Sequence, residues 1–170
     1  ASSPATPLPP VKSVTIPTSM HIGAPANAVV KKGNEVYVGT LIAEAGAGLS
    51  SPVYSSVSGT VSSVGEILLS NGSTGTAITI ESDGKMTLDS DITPPVINSK
   101  EDCLNALQKS GIVGLGGAGF PTAYKFKTDK PIEYLVINGA ECEPYITSDT
   151  VTMLTKADMM AHAIETLVKY

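Results

Sequence analysis

A run of glycines in the second half of the chain has the composition of a ligand-binding loop. The run is Gly114-Leu115-Gly116-Gly117-Ala118-Gly119, in which four of six residues are glycine. Glycine lets the backbone approach a ligand closely, and its positive φ angles turn successive N–H groups toward one anion. Lys125 follows shortly after and adds a positive charge suited to a phosphate. The pattern predicts a loop that binds a phosphate or a flat ring.

Two common phosphate-binding motifs do not explain this run. Gly114, Gly116 and Gly119 match the G-x-G-x-x-G pattern, and Glu141 follows at about the spacing of a ribose-binding acid. That motif must follow a strand and open a helix, whereas here a predicted helix precedes it and Phe120-Pro121 follow it. A P-loop would end in Gly-Lys-Ser/Thr, which is missing. A mobile linker remains an open alternative, although linkers contain more Ser and Asn than this run does.

An acidic turn follows a compact apolar run of the second half. Tyr134–Ile137 is predicted to form a buried strand, and Asn138, Glu141 and Glu143 come just beyond its carboxyl end. Open α/β sheets bind ligands at that edge. Carboxylates suit ribose hydroxyls and carboxamides, and an asparagine amide suits a flavin edge. A solvated surface turn is the alternative. Cys142 is expected to be a small buried residue rather than a redox group. Its neighbouring negative charges would raise the thiol pKa and make it less reactive.

Short apolar runs separated by turn signals fill the first half. Turns are predicted at Lys32-Gly33-Asn34, Asn71-Gly72 and Asp83-Gly84, which favours a small sandwich or barrel. The runs lie at 28–30, 36–38, 41–43, 53–54, 59–61, 67–69 and 77–80. We therefore predict an α+β protein in two parts: an all-β domain over 12–93, then an α/β domain that begins at 94 and continues to 170. Residues 1–11, rich in Pro and Ser, are expected to be a disordered or artificial leader.

The predicted β domain resembles the barrel-sandwich hybrid of lipoyl and biotinyl carriers. The resemblance rests on VVKKGNEVYVGTLIAEA followed by SSPVYSSVSGTVSSV. Carriers place a modifiable lysine at the tip of an exposed hairpin, but no lysine occurs between Lys32 and Lys85. The corresponding hairpin holds glycines and serines: Gly46, Gly48, Ser50 and Ser51. The fold is expected without the carrier chemistry.

Helices are predicted on both sides of the acidic turn. The first spans about 100–110, with Ser99 as its N-cap and Gly111 as its stop. The last spans about 156–170, with Thr155 and Asp158 as a capping pair. Its expected apolar face consists of Met160, Ile164, Leu167 and Val168.

Charge and cysteine content exclude several classes of function. The formal net charge is −5, and the 11 basic residues are all lysine without a basic run, which argues against nucleic acid and against a polybasic membrane patch. No apolar stretch is long enough to span a bilayer. Cys103 and Cys142 form no C-x-x-C pair, so zinc and iron–sulfur sites are not expected from this chain. A reducing cytoplasmic setting is the default. His21 and His162 lie in unrelated contexts and are not catalytic candidates.

At its two motifs the sequence resembles RnfC, a subunit of the Rnf electron transport complex. The motifs are GIVGLGGAGFPTAYKF and VINGAECEPYITSD, and MHIGAPANAVVKKGNEVYVGTLIAEA resembles the N-terminal domain of the same family. The NADH-binding flavoprotein subunit of respiratory complex I is more distantly similar. The chain therefore looks like an N-terminal part of an RnfC-like protein.

The resemblance implies a noncovalent FMN, oxidation or reduction of NAD(H), and hydride transfer between the two. It places Gly114, Gly116, Gly117 and Gly119 at the flavin, with Lys125 near both cofactors. Asn138 would contact the flavin, while Glu141 and Glu143 would lie at the nicotinamide side.

The resemblance also implies a setting for the whole protein. Its 4Fe–4S clusters are expected only in a part beyond this sequence. The partners would be other subunits of a membrane complex, with the protein on the cytoplasmic face. Alternatives are a soluble electron-transfer protein of an amino-acid reductase system and a non-catalytic assembly module.

Overall fold

Two small sheets account for the strands that the structure describes in the first half of the chain. The structure is a computed structural model, and it describes residues 6–115, 117–141 and 143–170. One sheet has the order β1-β7-β6-β3 and the other β2-β4-β5, with antiparallel pairing throughout. The strands are β1 Ser13–Pro17, β2 Asn27–Ala28, β3 Glu35–Val36, β4 Leu41–Glu44, β5 Val53–Tyr54, β6 Gly59–Leu68 and β7 Thr74–Ser82.

The longest pairing is the β6–β7 hairpin. Its first strand, β6, joins two of the predicted apolar runs, 59–61 and 67–69, into one strand. Its register aligns Val61 with Ile80 and Leu68 with Thr74, with an irregularity between Val61 and Ser63. The predicted Asn71-Gly72 turn closes it, and Gly72 takes the left-handed φ of +82° that such a turn requires. Strand β1 was not predicted, because Ser13–Pro17 lacks an apolar run; pairing along the edge of β7 decides its conformation.

The core lies between the two sheets and is made mainly of valine and isoleucine side chains. Fully buried members come from both sheets, and alternate positions of β7 point inward, as expected for a sheet with one buried face. The core residues are Ile16, Ala26, Val36, Ile42, Ala43, Val53, Val57, Val61, Ile78 and Ile80. This arrangement confirms the predicted two-part fold that begins with a small all-β domain.

Four helices lie in the described part of the second half: α1 Lys100–Lys109, α2 Thr122–Phe126, α3 Ser148–Thr155 and α4 Ala157–Lys169. The predicted first helix is confirmed, because Ser99 Oγ accepts a hydrogen bond from the Asp102 N–H at 3.1 Å. The extent of the last helix is also confirmed.

The predicted capping pair of the last helix is wrong. Its N-cap is Lys156, which makes no side-chain capping bond. Thr155 instead ends α3, and its hydroxyl donates to the Val151 carbonyl at 2.7 Å. Within the expected apolar face, Met160, Ile164 and Leu167 are half-buried and Val168 is exposed.

The predicted buried strand at Tyr134–Ile137 is wrong as well. These residues have no regular structure, and Tyr134 and Val136 are 81% and 84% exposed. A strand needs a neighbour to pair its N–H and C=O groups. Among the described residues after 94, the only β pairing is an isolated bridge between Val113 and Pro121. The apolar pattern therefore has no sheet to join.

The start of the chain has no regular structure in the described residues. Residues 6–12 are exposed and lack regular structure, and residues 1–5 of the predicted leader lie outside the described residues. In the described ranges, none of the helices combines the length and apolar character that a membrane crossing needs.

Candidate functional site

The glycine-rich segment forms a closed loop whose two ends are hydrogen-bonded to each other. The Gly114 N–H donates to the Phe120 carbonyl at 3.0 Å, and the Thr122 N–H donates to the Ile112 carbonyl at 2.9 Å. Val113 and Pro121 form the antiparallel bridge between these bonds. Pro121 is fully buried, so the stem of the loop is fixed. The stem leads directly into α2, which carries Lys125.

The tip of the loop is open to solvent. Leu115 is 94% exposed, Gly117 and Ala118 are exposed, and a Cβ placed on Gly117 would meet nothing within 4 Å. Gly116 lies outside the described residues. The side-chain-free backbone at Gly117 leaves room for a ligand to lie against it.

Lys125 lies beside the loop, as the sequence predicts. Its Nζ would be 3.7 Å from a Cβ placed on Gly114. An ammonium group next to exposed glycine backbone suits a phosphate. The residues present therefore fit an FMN phosphate, both in charge and in the space that the glycines leave.

The loop docks on the β domain. Gly119 is buried and has a φ of +66°, and its carbonyl accepts the Ile22 N–H at 3.2 Å. A Cβ on Gly119 would come within 2.8 Å of the Met20 carbonyl oxygen, so only glycine fits this contact. An open groove of about 1150 Å³ runs between the loop, segment 17–27 and the β6–β7 turn.

The acidic turn is organised around α3. The Asn138 side-chain oxygen accepts the Ala140 N–H at 3.0 Å, which shapes the start of the turn. A Cβ on Gly139 would lie 2.8 Å from the Met153 sulfur, so this glycine also permits a close approach. Glu143 is exposed, and Cys142 lies outside the described residues.

Glu141 caps α3 at its N-terminus. Its carboxylate accepts the Thr150 N–H at 2.8 Å. This hydrogen bond is the main cause that lowers the pKa of Glu141, because it stabilises the charged form. A carboxylate at a helix N-terminus is also favoured by the helix dipole. The structure thus gives Glu141 a structural contact, and its role at a nicotinamide stays a prediction.

The two predicted halves of the site have separate surroundings in the described residues. Gly114, Gly117, Gly119 and Lys125 come together, with the β domain as their neighbour. Asn138, Glu141 and Glu143 lie along the segment that packs on α3. Gly116 and Cys142 lie outside the described residues, and the expectation that the glycine loop and Asn138 contact the same flavin stays a prediction.

Sequence reasoning did not single out the side chains that join the β domain to the second part. The Tyr124 hydroxyl donates to the Gly48 carbonyl, and Gln108 Nε2 donates to the Ser50 carbonyl at 3.0 Å. His21 is structural: its Nε2 accepts the Ser51 N–H at 3.1 Å. These contacts join residues distant in sequence, and no local pattern reveals them.

Comparison with known proteins agrees with this architecture. Residues 1–85 match the model of the RnfC barrel sandwich hybrid domain, and residues 107–170 match the Nuo51 FMN-binding domain. Fold and site thus define a barrel-sandwich hybrid joined to a flavin-binding domain. The chain belongs to the RnfC family, as its sequence motifs predict.

Relatives of this chain are C subunits of ion-translocating complexes. The relative from Acetobacterium woodii belongs to a Na(+)-translocating ferredoxin:NAD(+) oxidoreductase complex and is 42% identical over 163 residues, which is 92% of this chain and 36% of that protein. The relative from Clostridium ljungdahlii belongs to a proton-translocating ferredoxin:NAD(+) oxidoreductase complex. It is 40% identical, over 92% of this chain and 35% of its own length.

A third relative is also a C subunit of an ion-translocating complex. It is the C subunit of the ion-translocating oxidoreductase complex of Haemophilus influenzae (strain PittEE), and it is 35% identical, over 89% of this chain and 24% of that protein. The chain thus spans roughly a quarter to a third of the length of these curated relatives.

Proposed function

We propose that this chain forms the N-terminal part of a flavoprotein subunit that exchanges electrons between NAD(H) and FMN. The subunit would belong to an ion-translocating complex on the cytoplasmic face of a membrane. The observation that carries the proposal is the exposed glycine loop with Lys125 beside it, within a segment that matches an FMN-binding domain. The names of the relatives support the ferredoxin:NAD(+) context.

The chain's own residues would bind and orient the cofactor. Lys125 would neutralise phosphate charge, and the N–H groups at the tip of the loop would donate to the same anion. FMN, when bound, supplies the hydride chemistry with nicotinamide, so no side chain has to act as acid or base.

Asn138 and Glu143 are exposed in the described residues, which leaves the Asn138 amide nitrogen and the Glu143 carboxylate available to a ligand. Asn138 would contact the flavin, and Glu143 would hold the nicotinamide nucleotide. Glu141 would hold the turn on α3, in addition to the role at the nicotinamide that the family resemblance implies.

Purification of the full-length protein with FMN tests this proposal. We expect a yellow protein whose visible flavin absorption bleaches when NADH is added without oxygen. A full-length protein that stays colourless after incubation with FMN would overturn the proposal. If FMN binds but NADH does not reduce it, only the proposed electron exchange with NAD(H) would be overturned, and the proposed FMN binding would stand.

A further inference from the structure

The loop between β4 and β5 corresponds to the hairpin on which carrier domains hold their lysine. Here hydrogen bonds on its buried side hold this loop against the rest of the β domain. Ser50 is fully buried; its hydroxyl donates to the Ala24 carbonyl at 2.8 Å and accepts the Gly46 N–H at 2.8 Å. The Ala24 N–H donates to the Leu49 carbonyl at 2.8 Å. A Cβ on Gly46 would meet the Pro25 carbonyl oxygen at 2.4 Å. The loop is therefore a rigid part of the domain.

The second part of the chain hydrogen-bonds to the same loop from outside, while Ala45, Ala47 and Gly48 stay exposed. Gln108 of α1 donates to the Ser50 carbonyl at 3.0 Å, and Tyr124 of α2 donates to the Gly48 carbonyl. Next to it, Tyr54 of β5 donates to the Lys109 carbonyl at the end of α1. A Cβ on Gly111 would lie 2.8 Å from the Pro52 carbonyl oxygen, which shows how closely the two backbones approach.

These contacts surround the glycine loop on both sides. Gln108 and Gly111 lie just before the loop, and Tyr124 lies just after it, one residue before Lys125. The Ile22–Gly119 hydrogen bond adds a third anchor at the loop itself. The tip, with Leu115 and Gly117, remains exposed.

We propose that the barrel-sandwich domain is a fixed support that positions the flavin-binding glycine loop, with Tyr124 and Gln108 as its positioning residues. This inference rests on the proposed FMN function of the loop. The loop at residues 45–52 thus holds the neighbouring domain in place of a cofactor arm.

The physical reason lies in the entropy of glycine. A loop with four glycines has many accessible conformations, and ordering it around a ligand lowers the affinity. Anchors that hold both ends before the ligand arrives remove part of this cost. Loss of an anchor should therefore weaken FMN binding, although the Gln108 and Tyr124 side chains hydrogen-bond to the β domain.

The test uses Tyr124→Phe, Gln108→Met and the double variant in the full-length protein. Each single change removes one hydrogen bond and keeps a side chain of similar size. We expect the FMN dissociation constant to rise about five-fold for each single variant, and further for the double variant. Tyr37→Phe is the matched control, because Tyr37 is an exposed tyrosine of the β domain whose hydroxyl makes no hydrogen bond within the described residues.

Two further measurements separate positioning from general destabilisation. Amide hydrogen exchange across residues 112–122 should accelerate in the FMN-free double variant, while exchange in β6 and β7 stays as in the wild type. The visible circular dichroism of bound FMN should change in the double variant, because the flavin is held differently.

Each result has a defined meaning. Unchanged exchange at 112–122 in the double variant would overturn the proposal, and so would faster exchange with an unchanged FMN dissociation constant and dichroism. If the wild type binds no FMN, the proposed function fails. The exchange measurement then still decides whether the barrel holds the loop.

Discussion

Lys125 and Glu141 show how differently two predicted site residues are used. Lys125 is an exposed residue whose Nζ lies close to Gly114. Glu141 is half-buried and is already bound to the Thr150 N–H at the start of α3. A charge beside open backbone is available to a ligand, whereas a carboxylate bound to a helix terminus has a structural partner.

Lys125→Gln should weaken FMN binding about ten-fold, because a charge-assisted hydrogen bond to phosphate would be lost. Fluorescence titration of FMN into the full-length variant measures this change. Lys127→Gln removes one lysine two residues further along, where α2 has ended, and should bind FMN like the wild type. Equal affinities for the two variants would show that Lys125 does not contact the phosphate.

At the level of elements, β6–β7 and the segment after it are stabilised by carboxylates that hydrogen-bond to hydroxyls. Asp83 accepts the Ser58 hydroxyl at 2.6 Å and the Lys85 N–H at 2.9 Å. Asp89 accepts the Thr40 hydroxyl and the Asp91 N–H. In each case the hydroxyl hydrogen bond is the main cause that lowers the pKa of the aspartate. Both aspartates thus join residues 83–91 to the connections that precede β4 and β6.

These pKa shifts predict a loss of stability in acid. A carboxyl whose pKa is lower in the folded state stabilises the fold above its unfolded pKa of about 3.9. That contribution is lost as pH falls from there through the folded value. Urea unfolding between pH 6 and pH 3 should show a falling midpoint, and Asp83→Asn should flatten this fall.

Asp129→Asn, which also removes one negative charge from an exposed position, controls for net charge. It should leave the slope of the midpoint against pH as in the wild type. The same slope in the wild type and in Asp83→Asn would contradict a stabilising role for the Asp83–Ser58 hydrogen bond.

At the level of the whole molecule, the two parts differ in how much apolar surface they bury. The β domain has a continuous core, whereas α3 and α4 contain no fully buried residue. Exposed large apolar side chains cluster in residues 132–137, and Tyr145 and Leu154 add to them. The segment 132–137, which leads into the acidic turn, thus buries little apolar surface in the described residues.

The 170-residue chain should therefore bind FMN more weakly than the full-length protein. We expect an apolar segment without packing partners to leave the acidic turn poorly positioned, which adds an ordering cost to binding. Titration calorimetry of FMN into both proteins measures the difference. Tight stoichiometric binding by the 170-residue chain would show that residues 1–170 already complete the pocket.

The sequence determined the features that depend on local chemistry. Turn residues fixed the hairpin at Asn71-Gly72, and Ser99 fixed the start of α1, because both act within a few residues. Glycine content and Lys125 identified the loop, since the composition needed for close ligand approach is visible in the chain itself. The barrel and the flavin-binding part were recognisable from sequence motifs, because each motif is a continuous stretch of the chain.

Only the tertiary structure decided the features that depend on distant partners. β1 is a strand because β7 lies beside it, and Tyr134–Ile137 lacks strand structure because no described strand lies beside it. Glu141 caps α3, and Tyr124 reaches Gly48, through contacts between residues that no local pattern links. Pairing and docking energies come from residues far apart in the chain, so they appear only when the chain is folded.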